Sequence, residues 1–88
     1  MRPFMCVYYG YSARDVCRRL SEYPLGGVRR GHAIDALVAA VMYGRLDTFC
    51  VLVSLGTPLD EAGPWYGVSV FDAQCSAGRL GRETAAYL

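Results

Sequence analysis

Eighty-eight residues make one small domain, able to bury about two-thirds of the surface its unfolded chain exposes, and 53% apolar residues are enough for a core. A net charge of +1, with every basic residue an arginine, gives no electrostatic case for a nucleic-acid or membrane partner. No apolar run nears the ~18 residues of a membrane span, and no cleavage-site pattern follows the opening MRPFMCVYYGYS, so a soluble, cytoplasmic protein is expected.

In chain order, Pro3 suits the first turn of a helix running to Tyr9, after which Gly10 turns the chain. Ser12 with Asp15 forms a capping-box-like start for a second helix, which Pro24 ends near Tyr23. The stretch PLGGVRRGH, Pro24 to His32, is rich in glycine and proline and reads as an extended loop or hairpin. Asp35 is positioned to cap an alanine-rich helix from Ala36 to Tyr43. Gly44 supplies the left-handed geometry that ends it. The next helix spans roughly Arg45 to Leu55, with Leu46, Phe49, Cys50, Leu52 and Val53 on one stripe. Gly56 stops it and Pro58 prevents its resumption. A second loop, GTPLDEAGPWYG, leads to Ser69, the cap of a short helix from Val70 to Ala77. Gly78 turns the chain into a last helix from Gly81 to Leu88.

Gly10, Gly44 and Gly78 fall 34 residues apart each time. A fixed period of this size is the signature of stacked supersecondary units. The neighbours repeat as well: Tyr43-Gly44-Arg45-Leu46 returns as Ala77-Gly78-Arg79-Leu80, and Tyr9-Gly10 matches Tyr43-Gly44. The expected architecture is therefore all-α, one domain over residues 1–88 in units of approximately 1–31, 32–66 and 67–88.

With Gly44 between the helices, Leu37 and Ala40 occupy leucine and alanine positions, Gly56 follows the second helix, and Asp60 falls in the loop. With Gly78 in the same role, Phe71, Ser69 and Gly67 fall into register. In this pattern the chain resembles the ankyrin-repeat family. The resemblance implies a stack of three helix-turn-helix repeats with hairpin loops, whose finger tips and first helices form a concave binding face. The TPLD at Thr57 to Asp60 is out of phase with the family's Thr-Pro-Leu-His and is read as loop. Gln74-Cys75 stands where the family has an alanine pair.

Little in the chain points to catalysis, and no cofactor is expected. Cys6, Cys17, Cys50 and Cys75 lie 11, 33 and 25 residues apart, without the close pairs of a zinc site. All four sit in apolar helical patterns, which favours buried free thiols over a disulfide framework. His32 could serve a nucleophile only with a cysteine beside it in space; a hairpin-end histidine next to Asp35 is the simpler reading. Arg29 and Arg30 lie in a glycine setting that could grip a phosphate or carboxylate, but without the strand and lysine of a P-loop. An arginine-mediated nucleic-acid or anionic-ligand binder, using Arg29, Arg30 and Arg45, is the alternative reading.

The aromatic residues say more. Trp65 and Tyr66 sit in GPWYG, between turn residues rather than in a helical pattern, and Trp, Tyr and Arg most often dominate interfaces. The resemblance brings Tyr9 and Tyr43 to the same concave face. Trp65, Tyr66, Tyr43, Tyr9, His32, Arg29, Arg30, Asp60 and Glu61 are the candidate partner-contact residues. The expected function is a small non-catalytic protein-interaction module, an inhibitor or adaptor such as a phage, virus or bacterium uses against a host or defence protein. The absence of polar capping units at either end leads to an expectation of self-association through the ends of the stack.

Overall fold

The computed structural model describes all 88 residues, as six helices and no strand. These are α1 (Pro3–Tyr8), α2 (Ala13–Ser21), α3 (Gly27–Tyr43), α4 (Leu46–Ser54), α5 (Val70–Ser76) and α6 (Arg79–Ala85). Each of the three periodic glycines stands between two helices with a positive φ: 81° at Gly10, 68° at Gly44 and 59° at Gly78. At the first two the closure is the same. The Tyr11 amide reaches back five residues to the Cys6 carbonyl (2.9 Å), as Arg45 does to Ala40 (2.9 Å), satisfying carbonyls that the helix end leaves open. Gly78 turns differently, with ψ at −117°, and the five-residue bond is missing there. Gly56 (φ 86°) closes α4 in the first manner, Thr57 donating to Leu52 at 3.3 Å.

The caps at Ser12 and Ser69 form as the sequence predicts. Ser12 Oγ accepts the Asp15 amide and Ser69 Oγ the Asp72 amide, both at 3.2 Å.

Other expectations are overturned. The glycine-rich stretch is not a hairpin, because α3 starts at Gly27 and carries Gly31 and His32 on its first turns. Glycines in a helix cost about 1 kcal/mol each, and tertiary contacts offset that here. Arg29 donates to the Tyr23 carbonyl (2.6 and 2.9 Å) and the Ser21 carbonyl (3.2 Å), tying the start of α3 to the end of α2. Gly31 lies against the ring of Pro64, where a β-carbon would come within 3.1 Å of Cδ. The boundary expected near residues 31 and 32 thus falls inside one helix. Asp35, accordingly, is not a helix cap; it lies in the middle of α3 with 1% of its surface exposed. The last helix also begins two residues earlier than expected, at Arg79.

The core is built around α3. Every residue from Ile34 to Val41 is buried, so the helix has no wet face over two turns. Phe4 and Val7 of α1, Val16 and Leu20 of α2, Phe49 and Leu52 of α4, and Val70 and Ala73 of α5 close around it. Ala36, Ala39 and Ala40 are fully buried in α3, and α1 is the element packed most extensively against it. The third pair leans on α3 as well: Leu80 of α6 packs on Gly44. Within that pair the contact is polar. Gln74 Nε2 donates to the buried Thr84 hydroxyl at 3.2 Å, and Gly81 lies so close to the Gln74 carbonyl that no β-carbon fits.

Candidate binding surface

The loop after α4 is laid along α3 rather than projected away from it. The Asp35 carboxylate does this: Oδ2 accepts the Trp65 amide at 3.0 Å and Oδ1 the Tyr66 amide at 3.2 Å. A buried carboxylate is tolerated when its lone pairs are used in this way. Gly63 presses on the same carboxylate, with no room for a β-carbon. The Gly67 amide closes the turn onto the Gly63 carbonyl at 3.0 Å.

With its backbone so held, the loop presents its two aromatic rings to α1. Trp65 stacks on Phe4 (centroids 5.0 Å, planes 23° apart), and the Arg2 guanidinium lies 5.1 Å from the Trp65 centroid. Tyr66 meets Phe4 edge-on at 5.5 Å. Burial, with smaller contributions from Tyr43 and the Asp35 carboxylate, pushes the Tyr66 hydroxyl up to about 12. Tyr43 in turn meets Tyr8 edge-on at 5.2 Å, and Tyr8 meets Tyr9 at 5.0 Å. Three separate segments therefore contribute two groups of touching rings, Tyr9–Tyr8–Tyr43 and Tyr66–Phe4–Trp65, which adjoin where Tyr43 neighbours the Tyr66 hydroxyl. Phe4 and Tyr66 anchor the run to the core. Tyr8, Tyr9, Tyr43 and Trp65 remain 53%, 56%, 40% and 57% exposed. Trp65 is thus neither a free finger tip nor a core residue; one face rests on Phe4 and the remainder is wet. Beside Tyr66 the run continues into an apolar groove of about 410 Å³ between α3, α5 and α6, lined by Met42, Val68, Ala73 and Leu80 with Asp72 among its polar residues.

Four of the expected contact residues, Trp65, Tyr66, Tyr43 and Tyr9, are joined in this way. The other five lie elsewhere. Arg30 pairs with Glu61 at 3.5 Å, both side chains more than half exposed. Asp60 is exposed on the same loop. His32 stacks on Tyr23 at 3.9 Å, and its buried Nδ1 has no hydrogen-bond partner. Arg29 donates to the Ser21 carbonyl at the end of α2 and to the Tyr23 carbonyl just beyond it. Arg45 lies with its guanidinium against Gly10. Sequence reasoning missed Phe4, Tyr8, Met42 and Asp35. The 34-residue period held a signal for two of them, since Tyr8-Tyr9 occupies the register of Met42-Tyr43.

The four cysteines are free, but only Cys6 is buried; Cys17 and Cys50 are half-buried and Cys75 is exposed, so the expectation of four buried thiols is corrected. Burial pushes the Cys17 thiol up. No three His, Cys, Asp or Glu side chains gather as a metal site would require. No helix is long and apolar enough to cross a membrane. In comparisons with known proteins, no family model, no curated protein and no solved structure matches the chain.

Proposed function

We propose that the protein is a non-catalytic docking module, three ankyrin-like helix pairs whose ring run and adjoining groove seat a partner protein and thereby block or recruit it. The observation that carries this reading is the pair of adjoining ring groups, Tyr9–Tyr8–Tyr43 and Tyr66–Phe4–Trp65. Four half-exposed aromatics, Tyr8 touching Tyr9 and Tyr43 and Trp65 resting on Phe4, form an amphipathic surface of the kind that concentrates interface energy. Their rotamers are restrained by one another, so little side-chain entropy is lost on docking. Arginine-led binding of an anion is less favoured, because Arg29 is engaged by carbonyls and Arg30 by Glu61.

The test is an affinity capture from native lysate with the wild type and with two variants, Trp65→Ala/Tyr66→Ala and Tyr8→Ala. One protein held at fixed stoichiometry by the wild type, and lost from both variants, supports the reading. Retention by both variants sinks it, as does recovery of nucleic acid with a steep salt dependence. A captured protein whose activity is unchanged at saturation excludes blocking and leaves recruitment.

A further inference from the structure

The ring run and the groove beside it have a polarity that the docking reading does not use. Contact by contact, the strip passes from Arg2 over Trp65, through Phe4 to Tyr66, and on into the groove that Asp72 helps to line. It therefore has a cation at one end and a carboxylate at the other. Both are exposed, and neither is among the ion pairs of the chain.

We propose that this strip is the surface on which two copies of the chain pair, so that self-association and docking of another protein compete for the same rings. The proposal rests on the docking reading for the identity of the surface and goes beyond it in naming the occupant. It also moves the contact from the ends of the stack to its aromatic side.

Three observations select a second copy. The first is charge. A two-fold contact sets the same patch against itself. A contact that lays the two strips antiparallel brings Arg2 of each copy toward Asp72 of the partner subunit, and the strip is complementary to itself in sign. The second is area. With ~200 Å² for a whole aromatic side chain, the exposures of Tyr8, Tyr9, Tyr43 and Trp65 leave about 400 Å² uncovered. Met42 and Val68, also exposed, bring the strip to about 500 Å², near the upper range of what a monomer leaves open. Two strips together bury about 1,000 Å², the level at which a contact becomes specific though weak. The third is net charge: at +1, two copies repel each other little.

The experiment is sedimentation equilibrium from micromolar to millimolar concentration, on the wild type and on Arg2→Glu, Asp72→Arg and Tyr8→Ser, each checked for fold by circular dichroism. The wild type is expected to pass from monomer to dimer in this range. Arg2→Glu and Asp72→Arg each weaken pairing about tenfold, and Tyr8→Ser weakens it comparably. Mixed in equal amounts, the two charge variants recover a dimer tighter than either forms alone, because one then carries two acidic ends and the other two basic ones. Asp72 lies on the first turn of α5, so should Asp72→Arg unfold, Arg2→Glu and Tyr8→Ser carry the test.

A wild type that stays monomeric throughout overturns the proposal, as does a dimer indifferent to Arg2→Glu and Tyr8→Ser. The two readings fail separately. A monomer that still captures a partner through the rings removes pairing alone, and a ring-dependent dimer that captures nothing when diluted to monomer removes docking alone.

Discussion

The Asp35 carboxylate accepts the backbone amide of Trp65 at 3.0 Å, from thirty residues away in the chain. A helix interior thus fixes a loop that has no secondary structure of its own, and Trp65, the one tryptophan of the chain, reports on that contact directly. Asp35→Ala is expected to lower stability by about 3 kcal/mol, since it removes two hydrogen bonds to a charged acceptor and leaves two amides to find water. Asp35→Asn retains one acceptor oxygen and is expected to cost roughly half as much. Urea denaturation followed by Trp65 emission measures both; equal stability of wild type and Asp35→Ala contradicts the latch.

Gly63→Ala probes the same contact from the loop side. No β-carbon fits between Gly63 and the Asp35 carboxylate, so the loop must lift. The expected result is a loss of about 1–3 kcal/mol and greater access of iodide to Trp65. Gly27, which faces open space at the start of α3, is the control: Gly27→Ala is expected to leave stability unchanged or raise it slightly.

Tyr66 confers an alkaline limit. Its hydroxyl is raised from 10.0 to about 12 in the fold, so the folded state holds the proton more tightly than the unfolded chain. The stabilisation is complete below about pH 10 and is lost as the pH climbs from about 10 to about 12. Melting temperature is expected to fall across this window, and Tyr66→Phe to flatten the fall. An identical alkaline profile in wild type and variant counts against the assignment.

The third helix pair is joined by a polar contact, and Thr84→Val tests it. The change keeps the shape but removes the acceptor for the buried Gln74 amide, at an expected cost of about 1–3 kcal/mol. Thr84→Val with Gln74→Leu is expected to recover part of the loss. Thermal melts of the single and double variants give the answer.

How much of this was legible beforehand depended on whether the signal was local. The Ser12 and Ser69 caps and the glycine turns at 10, 44 and 56 depend on a few neighbouring residues, and the structure has them where the sequence predicts. The start of α3 does not. GVRRG, Gly27 to Gly31, is poor in helix formers, and it is helical because Arg29 reaches the end of α2 and Pro64 covers Gly31, contacts from outside the segment. Asp35 misled for the same reason: an Asp ahead of an alanine-rich run looks like a cap, yet its carboxylate does cap amides, those of a distant loop. The ring run was half visible. Trp65 and Tyr66 stood out between turn residues, whereas Phe4 and Tyr8 look like ordinary apolar helix positions until α1 is set beside α3.

The burial of α3 on every side also bears on how such a chain can change in length. Repeat arrays lengthen by duplicating a unit, because each unit touches only those next to it. Here helices from all three pairs rest on one central helix. A copied pair inserted beside α3 would displace its present cover, and a deleted pair would expose its buried Ile34–Val41 segment to water. The 34-residue spacing of Gly10, Gly44 and Gly78 therefore does not make the helix pairs independent units.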